Sequence, residues 1–253
     1  MKCCVETEKY RFEYAESETD AALLWESHCH AEYEMIGVLE GDITLSAEGK
    51  RYRLTKNEVA ILPPLCYHTV SANKEGRYRR MTALFPASSV PDALRHSVSS
   101  LGAGVFFSPH LEKMKNICEA NDTVFYAPLL EALAVEDLYA YTENPGHTAE
   151  GETDGFLEKA VIYIDRNLSE KISLSDLARL TSRSNSSFSH LFTEKMQISP
   201  KQYILKKRLA FAEKLIQSGT PPTVAAARSG YENYASFYRV YVKFYRKTPS
   251  KKN

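Results

Sequence analysis

The chain has 253 residues, 43% of them hydrophobic and 25% charged, which is room for two domains with a core each and too ordinary a composition for a disordered or fibrous protein. No run approaches the roughly 18 apolar residues of a membrane span, and the start, Met1 to Arg11, is charged where a signal peptide has an apolar stretch. The expected setting is therefore cytoplasmic, without a membrane partner. The formal charge of zero divides unevenly: residues 1–150 hold 14 basic and 23 acidic side chains, residues 151–253 hold 18 and 9. From Lys195 onward 13 basic residues face two acidic ones, Glu213 and Glu232, the imbalance that a polyanion-binding surface leaves.

In chain order, the stretch from Ala22 to Phe85 reads as short strands between turns. Asp42 to Ala47 and Lys50 to Leu54 alternate, and the apolar run Val59 to Leu62 closes on Pro63-Pro64. Two helices are expected next. His110 to Cys118 places Leu111, Met114, Ile117 and Cys118 on one stripe; Pro128 to Tyr141 places Leu130, Ala134, Leu138 and Tyr141 on another, which we expect to help form a homodimer. Thr142 to Gly155, with a proline, three glycines and no apolar period, reads as a linker. The boundaries drawn from this are 1–145, a linker at 146–155, and 156–253. The five cysteines, Cys3, Cys4, Cys29, Cys66 and Cys118, are odd in number and form no CxxC pair, so they read as free thiols.

The last region repeats itself. Phe188, Leu191, Phe192, Met196, Ser199 and Pro200 recur 49 residues later as Phe237, Val240, Tyr241, Tyr245, Thr248 and Pro249. Upstream the offset is 48, with Leu177-Ala178 matching Ala225-Ala226 and Ser182 matching Gly230, so the second copy has one more residue in its turn. Each copy reads as two helices around a tight turn. Ser173 and Asp176 form a capping box over a helix burying Leu174, Leu177 and Ala178; Ser184 and Asn233 cap the second helices. Those second helices turn Phe188, Leu191 and Phe192, or Phe237, Val240, Tyr241 and Phe244, inward. Between the copies, Ser199-Pro200 starts a helix with Leu205, Leu209, Ala212, Leu215 and Ile216 as its buried stripe and Lys206, Lys207 and Arg208 on its polar side.

At these residues, from Phe156 to Ser250, the sequence resembles the AraC/XylS family of bacterial transcription regulators. The pattern is carried by FSHLFTEKMQISPKQY and SGYENYASFYRVYVKFYRKTP. The resemblance implies two helix-turn-helix units whose outward residues read double-stranded DNA: Asn185, Ser186, Ser189 and His190, then Tyr234, Ala235, Tyr238 and Arg239. Lys195, Lys201, Lys206, Lys207, Arg208, Lys243 and Lys247 are the candidates for phosphate contacts. Ser182, Gln197 and Arg246 stand where the family has glycines, and Pro222 with the run Ala225 to Ala227 leaves the second unit poorer in large apolar side chains.

The N-terminal part carries His28-x-His30-x3-Glu34-x6-Gly41, followed by Pro63 and His68, which resembles the two motifs of the cupin barrel. Asn57 and Leu65 occupy usual glycine positions of the second motif. The implied architecture is an α+β two-domain protein: a cupin-like β-barrel with flanking helices, then an all-α double helix-turn-helix. Two readings of His28, His30, Glu34 and His68 stand side by side: ligands of a divalent metal, with Cys66 as an extra donor, or hydrogen-bonding groups for a small-molecule effector. No catalytic residue is expected, and no cofactor beyond that metal. The expected function is an effector-responsive regulator; the alternative from another class is a metal-dependent cupin enzyme with a relic DNA-binding domain.

Overall fold

The computed structural model describes residues 2–20, 25–120, 123–146 and 155–250. The chain divides into two compact units, one built from residues 1–27 and 32–151, the other from residues 28–31 and 152–253. The chain belongs to the α+β two-domain class, sheet-rich first and helical second.

In the first unit, β1 (Lys2–Glu6), β2 (Arg11–Thr19), β8 (Gly76–Phe85), β3 (Tyr33–Glu40), β6 (Glu58–Leu62) and β9 (Gly104–Phe107) lie side by side in that order. A second sheet has the order β5 (Lys50–Leu54), β4 (Ile43–Ala47), β7 (His68–Ala72). The expected barrel is thus two separate sheets, with no closed sheet among the described residues. Alternation along the strands explains how they pack. On β3, Tyr33, Met35 and Leu39 face one core while Ile36 and Val38 face another; on β6, Val59 and Ile61 separate from Ala60 and Leu62 in the same way. One core lies between the two sheets, and the other lies under the helices α1 (Asp92–Leu101), α2 (Leu111–Glu119) and α3 (Thr123–Glu143).

Helix α3 begins five residues before Pro128, which lies inside it. The stripe Leu130, Ala134, Leu138 is fully buried in the unit's own core. It is therefore core and not a dimer face; the exposed large hydrophobic side chains among the described residues of α3 are Phe125, Tyr126 and Tyr139. Most of the expected linker, residues 147–154, lies outside the described residues, although α3 still covers 142 and 143 and helix α4 (Gly155–Arg166) begins at the far side.

In the second unit the repeat takes physical form. Helices α5 (Leu174–Leu180) and α6 (Asn185–Met196) are followed by α7 (Pro200–Gln217), then α8 (Pro222–Arg228) and α9 (Tyr234–Tyr245). The pairs α5/α8 and α6/α9 start 48 and 49 residues apart, and the turn grows from Thr181–Ser184 to Ser229–Asn233. The caps are as expected: Ser173 accepts from Asp176 N, Ser184 from Ser187 N, Ser199 from Gln202 N, and Asn233 from Ala235 N and Ser236 N. Phe237 and Tyr241 are buried, whereas Phe244 is exposed, a departure from the inward position its spacing suggests. Leu174 and Leu205 are also partly exposed, at 38% each, and not core.

Candidate nucleic-acid interface and sensor site

The outward faces of α6 and α9 are built by their inward ones. Phe188 and Phe192 pack with Phe156 and Tyr203, and Phe237 and Tyr241 pack in a cluster with Leu209, Ala212 and Ile216 of α7. Fixing one face by burial presents the opposite face to solvent. Asn185, Ser186 and His190 are exposed and Ser189 half-buried; Tyr234, Ala235, Tyr238 and Arg239 are all exposed. The α6 residues share one open cleft with Thr193 and Gln197. His190 lies 3.9 Å from Glu194 one turn on, and Arg239 makes a long contact of 3.5 Å to Ser236 Oγ.

The basic candidates divide. Lys195, Lys201, Lys243 and Lys247 are exposed and Lys206 half-buried, although Lys247 is engaged with the buried Glu213 carboxylate at 2.7 Å. That carboxylate also accepts from the Tyr241 hydroxyl, so α7, α9 and the turn after α9 are tied through one buried acid. Lys207 is a correction. It is 1% exposed, its ammonium lies 2.7 Å from Asp165 and it sits over the Tyr203 ring. Helix α7 is packed on two sides, so Tyr203, Lys207 and Ala210 form a second buried stripe that a single apolar stripe in the sequence does not reveal. Arg208 is likewise spent within the fold, donating to the Gly230 carbonyl at 3.1 Å and the Glu170 carbonyl at 2.5 Å, and burial lowers its pKa.

The four residues singled out in the N-terminal motif come together, one ligand atom from each of His28, His30, Glu34 and His68 lying within 4.8 Å of the others. Parity places them. Glu34 shares the β3 face of Ile36 and Val38 toward the second sheet, where β7 presents His68. Glu34 and His68 are buried, His30 half-buried and His28 exposed. The His68 Nδ1 lies 3.0 Å from the Cys66 carbonyl, which only accepts, so Nδ1 carries a proton. In a neutral ring Nε2 then presents a lone pair to the Glu34 carboxylate, 3.0 Å away. Two acceptors at that distance need a proton or a cation between them. Three imidazoles and a carboxylate also form a donor set suited to a borderline first-row divalent ion, and the Nδ1 bond to a carbonyl is the usual way a ligand histidine is oriented. Cys66 meets His68 through its carbonyl.

Sequence reading missed a second buried polar group. Asp137 on α3 is fully buried, accepts from the Ser108 hydroxyl at 2.7 and 2.9 Å, and lies 3.9 Å from the His110 ring. Burial raises its pKa to about 6. An acidic residue inside a predicted helix carries no signal of burial unless its neighbours across the core are known.

With an exposed face on each repeated helix and a separate sheet-rich unit, the chain has the construction of a DNA-binding regulator with a separate ligand-binding domain. Comparison with known families agrees: residues 12–134 match the AraC-like ligand binding domain and residues 177–252 a helix-turn-helix domain. The chain belongs to the AraC family of transcriptional regulators. It is 25% identical over 225 residues to the HTH-type transcriptional regulator YobQ of Bacillus subtilis (strain 168), covering 87% of this chain and 85% of that one. It is 33% identical over 90 residues to the probable transcriptional regulator LumQ of Photobacterium leiognathi, covering 35% and 36%. Among solved structures, unsaturated fatty acid-bound ToxT from Vibrio cholerae aligns over 96% of this chain and 94% of its own, at 11% identity and a TM-score of 0.45. No helix among the described residues is long and apolar enough to cross a membrane.

Proposed function

We propose that this transcriptional regulator acts in the cytoplasm, without catalysis of its own, by reading two adjacent DNA segments with α6 and α9 while its sheet-rich, cupin-like unit, bounded near residues 145 and 155, reports an effector. The observation that carries the reading is the repeat itself: two capped helices of equal length, each with a buried aromatic face and a solvent face, displaced by one 18-residue helix. At 1.5 Å per residue α7 is about 27 Å long, comparable with the roughly 34 Å between successive major grooves on one side of B-DNA. Asn185, Ser186, Ser189 and His190 would choose bases in one groove, and Tyr234, Ala235, Tyr238 and Arg239 in the next. Lys195, Lys201, Lys206, Lys243 and Lys247 would supply phosphate contacts and with them the salt dependence. A homodimer would use the exposed aromatics of α3 in place of its buried stripe. Selection of bound fragments from a random DNA pool by the full chain tests this; recovery of no common sequence would remove it.

For the sensor, the convergence of three imidazoles and a carboxylate within 4.8 Å supports a bound cation over a purely hydrogen-bonded organic effector. His28, His30, Glu34 and His68 would hold a divalent ion whose presence shifts the balance between DNA-binding arrangements. Elemental analysis of full-length protein purified without chelators should find one ion per chain, lost in His68→Ala and Glu34→Gln. Metal-free protein that also fails to take up zinc, nickel or cobalt would return the site to an organic effector.

A further inference from the structure

Strand β1 ends the six-stranded sheet: among the described residues it pairs with β2 alone, so one side of its backbone has no strand beside it. The ladder fixes which groups that side presents. Thr7 N donates to the Tyr10 carbonyl at 2.8 Å in the turn that joins β1 to β2. In an antiparallel pair, residues that exchange both backbone bonds alternate with residues that exchange none, so Val5 and Cys3 bond to Phe12 and Tyr14 while Lys2, Cys4 and Glu6 turn N–H and C=O outward. An open edge of this kind takes up another strand, and charged side chains are the usual deterrent. Here the deterrents are Lys2 and Glu6, both exposed, placed symmetrically about the exposed Cys4.

That symmetry makes the edge complementary to itself. Turned about a two-fold axis at Cys4, β1 of one copy runs antiparallel to β1 of another with all five residues overlapping. Lys2 then meets Glu6 of the second copy, Glu6 meets Lys2 of the second copy, and Cys4 meets its own counterpart. Each is a pair of outward-turned residues, so both backbone bonds form in each. On the same face Arg11 of β2 lies 3.4 Å from Glu6, so the row Arg11, Glu6, Lys2 of the second copy alternates in sign. On the opposite face Cys3 meets Val5 of the second copy; Val5 is buried in the core under the helices and Cys3 packs against that core, so apolar surface continues across the join. A shift by two residues sets Cys4 against one charge and leaves the other unmatched, and a shift by one sets outward groups against inward ones. We propose that β1 is an interface with a second copy of this chain, antiparallel and centred on Cys4. This rests on the homodimer reading above for the oligomeric state and adds a backbone register that the α3 aromatics do not supply.

Sedimentation of the untagged full-length chain under reducing conditions should find a dimer. Lys2→Glu and Glu6→Lys each set like charges against one another across the join and should each weaken it several-fold. An equimolar mixture of the two variants should recover the parent's affinity, because opposite charges then meet at every position between copies. Contacts within each chain, Lys2 to Glu13 at 2.8 Å and Glu6 to Arg11 at 3.4 Å, stay as the single variants leave them, so recovery reports the join alone. In the parent, diamide should take the hydrogens of two thiols and leave a disulfide between the Cys4 residues of the two copies, since facing residues of such a pair lie about 5.5 Å apart at Cα, within disulfide range. Cys4→Ser should abolish the cross-linked dimer and Cys3→Ser should keep it. A monomer, a dimer that neither charge variant weakens, a mixture no tighter than its components, or cross-linking that survives Cys4→Ser would each overturn the pairing. A dimer indifferent to both charge variants would do so with the homodimer itself left standing, whereas a monomer would remove both.

Discussion

Arg208 is packed flat enough on Gly230 that a Cβ there would lie 2.7 Å from the Arg208 Cζ and 2.4 Å from the Leu168 carbonyl oxygen. Gly230 also has φ of +78°, in the region that side chains resist. The turn of the second helix-turn-helix is thus locked from α7, through the arginine that the sequence suggested for phosphate. Gly230→Ala should lose about 2–4 kcal/mol of stability, from the left-handed backbone and the clash together. Urea denaturation of the full chain checks it, and an unchanged midpoint would show that the guanidinium yields.

Among the described residues, five of the six non-glycine residues with positive φ are Asn57, Leu65, Ser182, Gln197 and Arg246. These are the positions where family resemblance expects glycine. The backbone has kept the left-handed geometry after the side chain changed, so strain here was legible in the sequence as a mismatch between residue and pattern. Ser182→Gly and Arg246→Gly, at φ of +55° and +57°, should each stabilise by about 0.5–1 kcal/mol, the relief of strain exceeding the added entropy of the unfolded chain. Melting temperatures that fall in both would contradict this account.

Other features were not legible, for physical reasons. The 49-residue repeat, its caps and its longer second turn follow from local spacing, which a sequence carries directly. The order β1-β2-β8-β3-β6-β9 depends on pairings between distant segments, and the separation into two sheets depends on how far each strand extends. The His28, His30, Glu34 and His68 group was visible through the spacing of the cupin-like motif, not through strand parity, since His28 and His30 precede β3 and only Glu34 and His68 stand on β-strands. Lys207 was misread because burial on a second side of a central helix leaves no apolar mark when the buried group is a lysine paired with Asp165. Consequently Lys207→Ala should lower stability by about 1–3 kcal/mol, leaving the salt dependence of DNA binding unchanged, since the abandoned Asp165 is 42% exposed and remains solvated. Lys243→Ala, on the exposed face of α9, should do the opposite: unchanged melting, and a salt slope reduced by about one. A salt slope that moves with Lys207 would restore it to the interface.

Asp137 makes stability depend on pH. Its folded pKa of about 6 lies above the ordinary 3.8, mainly because burial penalises the charge and, to a lesser degree, because Glu136 is near; Ser108 and His110 act the other way. The folded state therefore binds the proton more tightly than the unfolded state. Stability should rise as pH falls from about 6 toward 4, by up to about 1.4 kcal/mol per pH unit from this group, and the full penalty is present above pH 6. Asp137→Asn keeps an acceptor for Ser108 and removes the charge. It should melt higher than the parent at pH 7.5, and the difference between the two should shrink toward pH 4. A constant difference across that range would show that Asp137 does not titrate there.

The exposed Arg239 on α9 is the side chain best suited to a two-point contact with guanine, because among the described residues its guanidinium makes only a long contact of 3.5 Å to Ser236. Its position one helix away from His190 makes the two residues probes of different segments. If both units insert, the protein should protect two stretches about one helical turn, roughly 10 base pairs, apart on one face of the DNA. Arg239→Ala should then cost about 1–3 kcal/mol and relax base preference only in the segment nearest α9. His190→Ala should act on the other segment, weakening the contact nearest α6 and leaving the base preference near α9 unchanged. Footprinting with both variants on one selected site separates the outcomes. Protection of a single groove, with Arg239→Ala binding like the parent, would mean that α9 serves the fold, through Phe237 and Tyr241, and reads no bases.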